Sequence, residues 1–436
     1  MRIVGERVLI DTSSSPHSHP ASSWSSSLHQ ETPMDISIVL YSHDSVGLGH
    51  ARRNRPLAYA LAAHLPALVG GTVRGLLIAG HPDAGRDPLP EGWDWLVLPG
   101  MTRSSDGKGF RPRRLDMHGE RLRDLRSATI DAALAAFDPD LLIADRHPFG
   151  IDGELRPVLA NVRARGTRTV LGLREVLDTP RVAAAEWDAL GGAEQVAELL
   201  DAVWVYGDHH VYDPRLTGEL PGPLARLAIT TGYLGHGRPA GRPSRGRTSP
   251  KPPPPYVLTV LGGGSDGGEL ARIAARATLP EGHRHLLITG PQMSDADLQE
   301  VREIAAHSGD ATTVVHSAPD VPELIAEAVS VVCMGGYNTL AEVMATSTPA
   351  LVVPRARRRQ EQPRRAAALA ALGAVETLDA AGLTPQDITA WLERSVTTRT
   401  DRTGIDLDGL SVVPHLAARL LNSSVRTAPE VTSHAV

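Results

Sequence analysis

From residue 34 onward, apolar runs of strand length alternate with longer stretches of helical spacing. ISIVLY (36–41), RGLLIAG (74–80), DWLVLPG (94–100), DLLIADR (140–146), RTVLGLR (168–174), AVWVYG (202–207) and LAITTGY (227–233) are short and rich in Val, Ile and Leu. Between them lie stretches such as PLAYALAAHLPALV (56–69) and RLRDLRSATIDAALAAF (121–137). Near-continuous apolar strands separated by helices predict right-handed βαβ units and a parallel sheet covered on both faces. The rhythm breaks at GHGRPAGRPSRGRTSPKPPPPY, Gly235–Tyr256, then restarts with YVLTVL (256–261), HLLITG (285–290), TTVVHSA (312–318), VSVVCMGG (329–336) and PALVVPR (349–355).

The pattern predicts an α/β chain of two doubly wound, Rossmann-like domains, 34–234 and 256–395, joined by a Pro/Gly/Arg-rich linker at 235–255. Two such sheets facing each other leave a cleft between strand carboxyl ends, where open α/β sheets bind ligands. Residues 396–423 hold one more helical pattern, and 411–421 are expected to cross back to the first domain. Ser, His and Pro dominate residues 11–32, so 1–33 read as a disordered extension ahead of Met34, and 424–436 as a disordered tail.

Composition adds limits. The 436 residues, 42% of them hydrophobic, can fill two cores. A net charge of −6 gives no global attraction to nucleic acid, and no nucleic-acid partner is predicted. Cys333 is the only cysteine, which excludes an intrachain disulfide. With no apolar run of membrane-spanning length and no signal-peptide core, a cytoplasmic protein is expected.

Three segments carry candidate chemistry. GGGSDGG, Gly262–Gly268, lies between a strand pattern and the helical ELARIAARA. Its backbone N–H groups can close on an anion, and the helix N-terminus behind them adds positive potential, so the loop suits a diphosphate. Gly262, Gly264 and Gly267 also fit G-x-G-x-x-G, but the next strand pattern ends in Gly290 and Pro291, where a dinucleotide site wants an acid. A tight turn without ligand is the bland alternative.

The second segment runs from Cys333 to Gly373. Gly335 and Gly336 end a strand, and Asn338 or Thr339 can cap the next helix. Glu342 is expected in that helix's first turn, facing the cleft, either as a bidentate acceptor for two ribose hydroxyls or as a favourable charge at a helix start. Six arginines fall between Arg355 and Arg365, around Glu361 and Gln362. Several are expected to be solvated, although a cation with Glu361 and Gln362 at a helix start suits a sugar diphosphate. The third segment, YSHDSVGLGHARR, Tyr41–Arg53, sets Gly47, Gly49 and His50 where a strand turns into a helix.

Together SVGLGHARR, GGGSDGG and MGGYNTLAE…PALVVPR…EQPRRA resemble the GT-B glycosyltransferases. The likeness is closest to bacterial glycosyltransferases with a family-28-type C-terminal domain, related to the enzyme that adds N-acetylglucosamine to the lipid-linked peptidoglycan precursor. It runs from Met34 into the 390s and implies the GT-B fold, two Rossmann-like domains facing across a cleft. It also implies that Gly264 and Ser265 hold the donor diphosphate, Glu342 the ribose, and Glu361 and Gln362 the hydroxyls of the donor sugar. His50, with Gly47 and Gly49, would stand near the acceptor and the anomeric carbon. Met334 lies near an arginine of the peptidoglycan enzyme, so base or phosphate contacts are expected to differ there.

An imidazole facing such a donor can take the proton of an attacking hydroxyl, with Asp145 or Asp44 as its partner or substitute. Direct displacement by one base inverts the anomeric centre. Arg355 or Arg365, with the Gly262 loop, could meet the leaving diphosphate without metal. The D-x-D strings at Asp138–Asp140 and Asp295–Asp297 are read as preceding a strand and lying in a polar turn, so no metal site and no cofactor are predicted. His209 and His210, if extended, would point apart. His283 and His285 would share a face without a third ligand. LGLREVLDTPR (171–181) suits either a cleft wall or a salt-bridged loop.

The expected function is an inverting, metal-independent transfer of a sugar from a nucleoside-diphosphate donor, UDP-linked, to an acceptor hydroxyl. A nucleotide-sugar 2-epimerase and a non-catalytic nucleotide-sugar-binding protein are the alternatives. Arg103, Lys108, Arg111, Arg113 and Arg114 in the loop 101–118 would meet an anionic acceptor or an anionic membrane surface, or stay solvated. The expected acceptor is a small molecule or a lipid-linked saccharide, and peripheral contact with a membrane is left open by the sequence.

Overall fold

The apolar runs become two parallel sheets. The computed structural model describes residues 35–43, 49–104, 109–239, 252–253, 255–307, 311–355 and 359–423. The first lobe holds β1 (Asp35–Tyr41), β2 (Thr72–Ala79), β3 (Trp93–Val97), β4 (Met101–Arg103), β5 (Phe110–Pro112), β6 (Leu141–Asp145), β7 (Arg168–Arg174), β8 (Ala202–Tyr206) and β9 (Ala228–Thr230). The second holds β10 (Tyr256–Val260), β11 (Arg284–Ile288), β12 (Thr312–Val315), β13 (Ser330–Cys333), β14 (Ala350–Val352) and β15 (Glu376–Thr377). β6, β8, β10 and β13 are buried along their whole length, as strands covered on both faces must be.

Strand order fixes where the site lies. The first sheet runs β3-β2-β1-β6-β7-β8-β9 and the second β12-β11-β10-β13-β14-β15. Each order reverses beside its first strand, between β1 and β6 and between β10 and β13. Crevices open at the carboxyl ends of such neighbours. His43 follows β1, Asp145 ends β6, the Gly262 loop follows β10, and Met334–Gly336 follow β13.

The loop expectation for 101–118 is corrected in part, because β4 and β5 pair there as an antiparallel hairpin. Strands of three residues are too short to show a period of two in sequence. The two-residue β15 went unanticipated for the same reason.

An apolar core is continuous through both lobes. Tyr233 and Leu234 at the end of the first lobe, Tyr337 and Leu340 of the second, and Leu407 and Leu410 beyond them belong to one buried cluster. The helix Gly409–Asn422 packs against the helix Ala51–Val69 of the first lobe. The expectations for 1–33, for Asp44, Gly47 and Lys108, for most of the 235–255 linker and for 424–436 lie outside the described residues.

Candidate active site

His50 stands immediately before the helix Ala51–Val69, as its N-cap residue. Its Nδ1 lies 2.7 Å from Oδ2 of Asp145, the last residue of β6. A ring nitrogen and a carboxylate oxygen this close need a proton between them. Nδ1 therefore donates to Asp145, and Nε2 is left as the acceptor. Arg53, one helical turn on from His50, donates to both oxygens of Asp145, with Nε 3.1 Å from Oδ1. Burial alone would raise the Asp145 carboxyl, but the charges of Arg53 and His50 and their hydrogen bonds hold it well below the usual carboxylate range.

Two more histidines adjoin. The ring of His43 is 4.3 Å from that of His50 and 4.7 Å from that of His147. Burial, then the neighbouring cationic or titratable groups, push His43 and His147 well below the ordinary histidine value, so both are neutral. His50, Gly49 and Arg174 line the cleft from the first lobe.

From the second lobe, Gly262, Gly263, Ser265 and Asp266 face this cleft. Gly264 does not. It is buried at φ +90°, its N–H donates to the Leu261 carbonyl, and a Cβ there would stand 2.3 Å from the Thr289 carbonyl oxygen. Its role is to let the loop lie against the end of β11, so the direct diphosphate contact expected for Gly264 is corrected. The helix Gly268–Arg276 starts directly behind the loop.

Glu361 and Gln362 open the helix Glu361–Ala371 and line the cleft, where the sequence placed them. Glu361 pairs with Arg174 at 2.7 Å and with Arg355 at 2.9 Å. Burial would raise its carboxyl, yet the charge of Arg174, followed by Arg365, Arg355 and Arg359, holds it down to about 2. Gln362 accepts the backbone N–H of Arg355 at 3.1 Å, and Arg355 Nη1 reaches Asp266 at 3.0 Å. Arg355 thus ties the glycine loop to Glu361.

Several expectations are corrected here. Glu342 lies in the second turn of the helix Tyr337–Met344, whose N-cap is Gly336 rather than Asn338 or Thr339. It is buried instead of open to the cleft. Its Oε1 accepts from Arg238 at 3.0 Å and Arg52 at 3.3 Å, while Oε2 has no hydrogen-bond partner. Asn338 donates across the lobes to the Gly49 carbonyl at 2.8 Å.

Arg365 is not free for a phosphate, because it forms a buried two-point pair with Glu175. The arginine run is a seam between lobes more than a solvated face: Arg359 reaches Glu186 at 2.7 Å, and Arg364 reaches Tyr212 and Glu219. Arg357 and Arg358 lie outside the described residues. Two partners of this seam, Glu175 for Arg365 and Asp178 for Arg359, sit in LGLREVLDTPR, which also lines the cleft through Arg174.

Of the other residues, His209 and His210 do not point apart. They occupy a turn with ring centres 3.9 Å apart, beside Asp208 and away from the cleft. Asp295–Asp297 open a helix rather than a polar turn. His283 lies in a turn ahead of β11, while His285 is buried against Thr259. Sequence reasoning gave no role to Arg53, His43 or His147, although Arg53 at i+3 from His50 shares its helix face.

Parts of this chain are similar to known proteins. Residues 257–403 match the glycosyltransferase family 28 C-terminal domain. A relative from Brucella suis, UDP-N-acetylglucosamine--N-acetylmuramyl-(pentapeptide) pyrophosphoryl-undecaprenol N-acetylglucosamine transferase, is 30% identical over 185 residues. That match covers 42% of this chain and 45% of the relative, so the chain spans under half the length of the curated relatives it matches. Spinosyn forosaminyltransferase SpnP superposes with a TM-score of 0.53 at 19% identity, over 90% of this chain and 96% of that one. Glycosyltransferase VinC in complex with dTDP gives 0.51 at 18%, over 90% and 95%. The fold is the GT-B fold of glycosyltransferases. Its second lobe is similar to the glycosyltransferase family 28 C-terminal domain over residues 257–403.

Proposed function

We propose that the protein is an inverting, metal-independent glycosyltransferase moving a hexose from a nucleoside-diphosphate sugar, UDP-linked, to an acceptor hydroxyl. The observation that carries this reading is His50, oriented by Asp145 at 2.7 Å, in the same cleft as the Gly262 loop and Glu361. Nε2 takes the hydroxyl proton while the oxygen attacks the anomeric carbon and the bond to the diphosphate breaks. The Asp145 carboxylate steadies the imidazolium that forms. One displacement inverts the centre.

Backbone N–H groups around Gly262, Gly263 and Ser265, the helix start behind them and Arg355 meet the leaving diphosphate. Glu361 and Gln362 face the sugar hydroxyls. The unpartnered Oε2 of Glu342 supports a ribose contact, reached when Arg52, which lines the cleft, yields. The named relatives support a uracil or thymine base. They also support a lipid-linked saccharide or a small molecule as acceptor, and with the former a peripheral membrane contact through Arg103, Arg111 and Arg114. No helix among the described residues is long and apolar enough to cross a membrane.

A thermal-shift titration of wild type and Glu342→Ala with UDP, dTDP, GDP, ADP and NAD, with and without magnesium, tests the donor. Stabilisation by UDP or dTDP, weaker in the variant and indifferent to magnesium, is expected. Stabilisation by NAD alone would overturn the reading.

A further inference from the structure

We propose that Asp208, His209 and His210 form a binding site for one divalent cation of the zinc class, separate from the cleft. The three residues follow β8, just beyond Tyr206 and Gly207. On an extended chain His209 and His210 would face opposite sides. The turn prevents this. Asp208 Oδ1 accepts the backbone N–H of His210 at 2.8 Å, and the Asp208 carbonyl accepts the N–H groups of Val211 and Tyr212, each at 3.0 Å. The chain curls round the carboxylate, and the two imidazoles come to lie side by side with centres 3.9 Å apart.

One ring nitrogen from each histidine and one carboxylate oxygen all lie within 4.8 Å of one another, and no other such group of three is found among the described residues. Donors around a tetrahedral zinc ion, with bonds of about 2.0–2.1 Å, stand about 3.3 Å apart. Both histidines are exposed, so their rings can rotate to close that gap. The carboxylate is the fixed member. Asp208 is 3% exposed, and its Oδ2 accepts the backbone N–H of Asp406 at 2.9 Å. Its two hydrogen bonds use about half of a carboxylate's lone-pair sites, which leaves room for a cation. Asp213 is already taken, because Arg215 engages both of its oxygens. The fourth position falls to water.

Two imidazole nitrogens with one carboxylate suit zinc, whereas magnesium and calcium want oxygen ligands throughout. None of the three residues lines the cleft, so the ion takes no part in transfer and the site stands whether or not the transfer reading does. Its place is at the return of the chain. Asp406 lies just before the helix Gly409–Asn422, which packs on the first lobe, so the carboxylate that would hold the ion also anchors that crossing.

The test is a calorimetric titration of the full-length chain with zinc chloride, repeated with magnesium chloride. The proteins are wild type, His209→Ala, His210→Ala, and a His17→Ala, His19→Ala control for the histidine-rich N-terminal tract. Asp208 is left intact because it holds the crossing segment, and the two histidines replaced beside it are exposed. Zinc should bind the wild type and raise its Tm, and hydrogen exchange at residues 405–408 should slow. Loss of either ligand should weaken binding at least about tenfold, the control should match wild type, and magnesium should give no binding heat. A wild type that binds no zinc would overturn the assignment. So would undiminished binding in His209→Ala and His210→Ala, loss of binding in the tract control alone, or magnesium binding as tight as that of zinc.

Discussion

Arg365 and Glu175 meet between the two lobes as a buried pair, with Nε 2.6 Å from Oε1 and Nη2 3.2 Å from Oε2. Both side chains are essentially inaccessible to water. Either charge left alone would be desolvated without compensation, so Arg365→Ala or Glu175→Ala should each destabilise by about 3–5 kcal/mol. The Arg365→Met, Glu175→Gln double variant should recover much of that loss. Urea unfolding of wild type, Arg365→Met, Glu175→Gln and that double variant measures the coupling, and additive single effects would contradict a mutual pair.

Glu361 makes stability depend on acid. Its folded-state carboxyl lies near 2, below the ordinary value of 4.5, because Arg174 and its fellow arginines outweigh burial. A depressed carboxyl contributes its full stability above pH 4.5 and loses it as pH falls toward 2. Melting temperatures of wild type and Glu361→Gln between pH 7 and 3 should therefore converge below pH 4.5. Parallel curves would mean that the Arg174 and Arg355 pairs do not hold the charge.

The glycine loop should tolerate no side chain at its buried position. Gly264→Ala adds a Cβ 2.3 Å from a backbone oxygen at φ +90°, a conformation that costs other residues on the order of 1 kcal/mol or more before any clash. The expected result is a lower Tm together with weakened nucleoside-diphosphate binding in a calorimetric titration. Gly282→Ala, at φ +76° with open space around it, serves as the control for backbone strain alone.

How much of this was legible in the sequence follows from range. The buried strands announce themselves as short Val/Ile/Leu runs, and the Gly262 loop and the Glu361–Gln362 helix start are local features, so all three were readable. The cleft could be expected from two parallel sheets, but its position depends on β6 pairing beside β1 and β13 beside β10, which no local pattern encodes. Arg365 looks like one more member of a charged run, and only tertiary structure sets it against Glu175, 190 positions earlier. Glu342 was displaced by a few residues in helix phase, which is enough to turn a cleft-facing carboxylate into a buried one. Gly264 was assigned a ligand where its conformation serves packing, because the same residue type answers both needs.

The most direct measurement is nucleoside-diphosphate release from UDP- and dTDP-hexoses, by wild type and His50→Ala, across a panel of hydroxyl acceptors. The account predicts acceptor-dependent release that drops by at least about 10²-fold in the variant, while the thermal stabilisation by the nucleotide survives. Equal rates in the two proteins would contradict the assignment of His50 as the base. Nucleotide binding without release for any acceptor would contradict transfer itself.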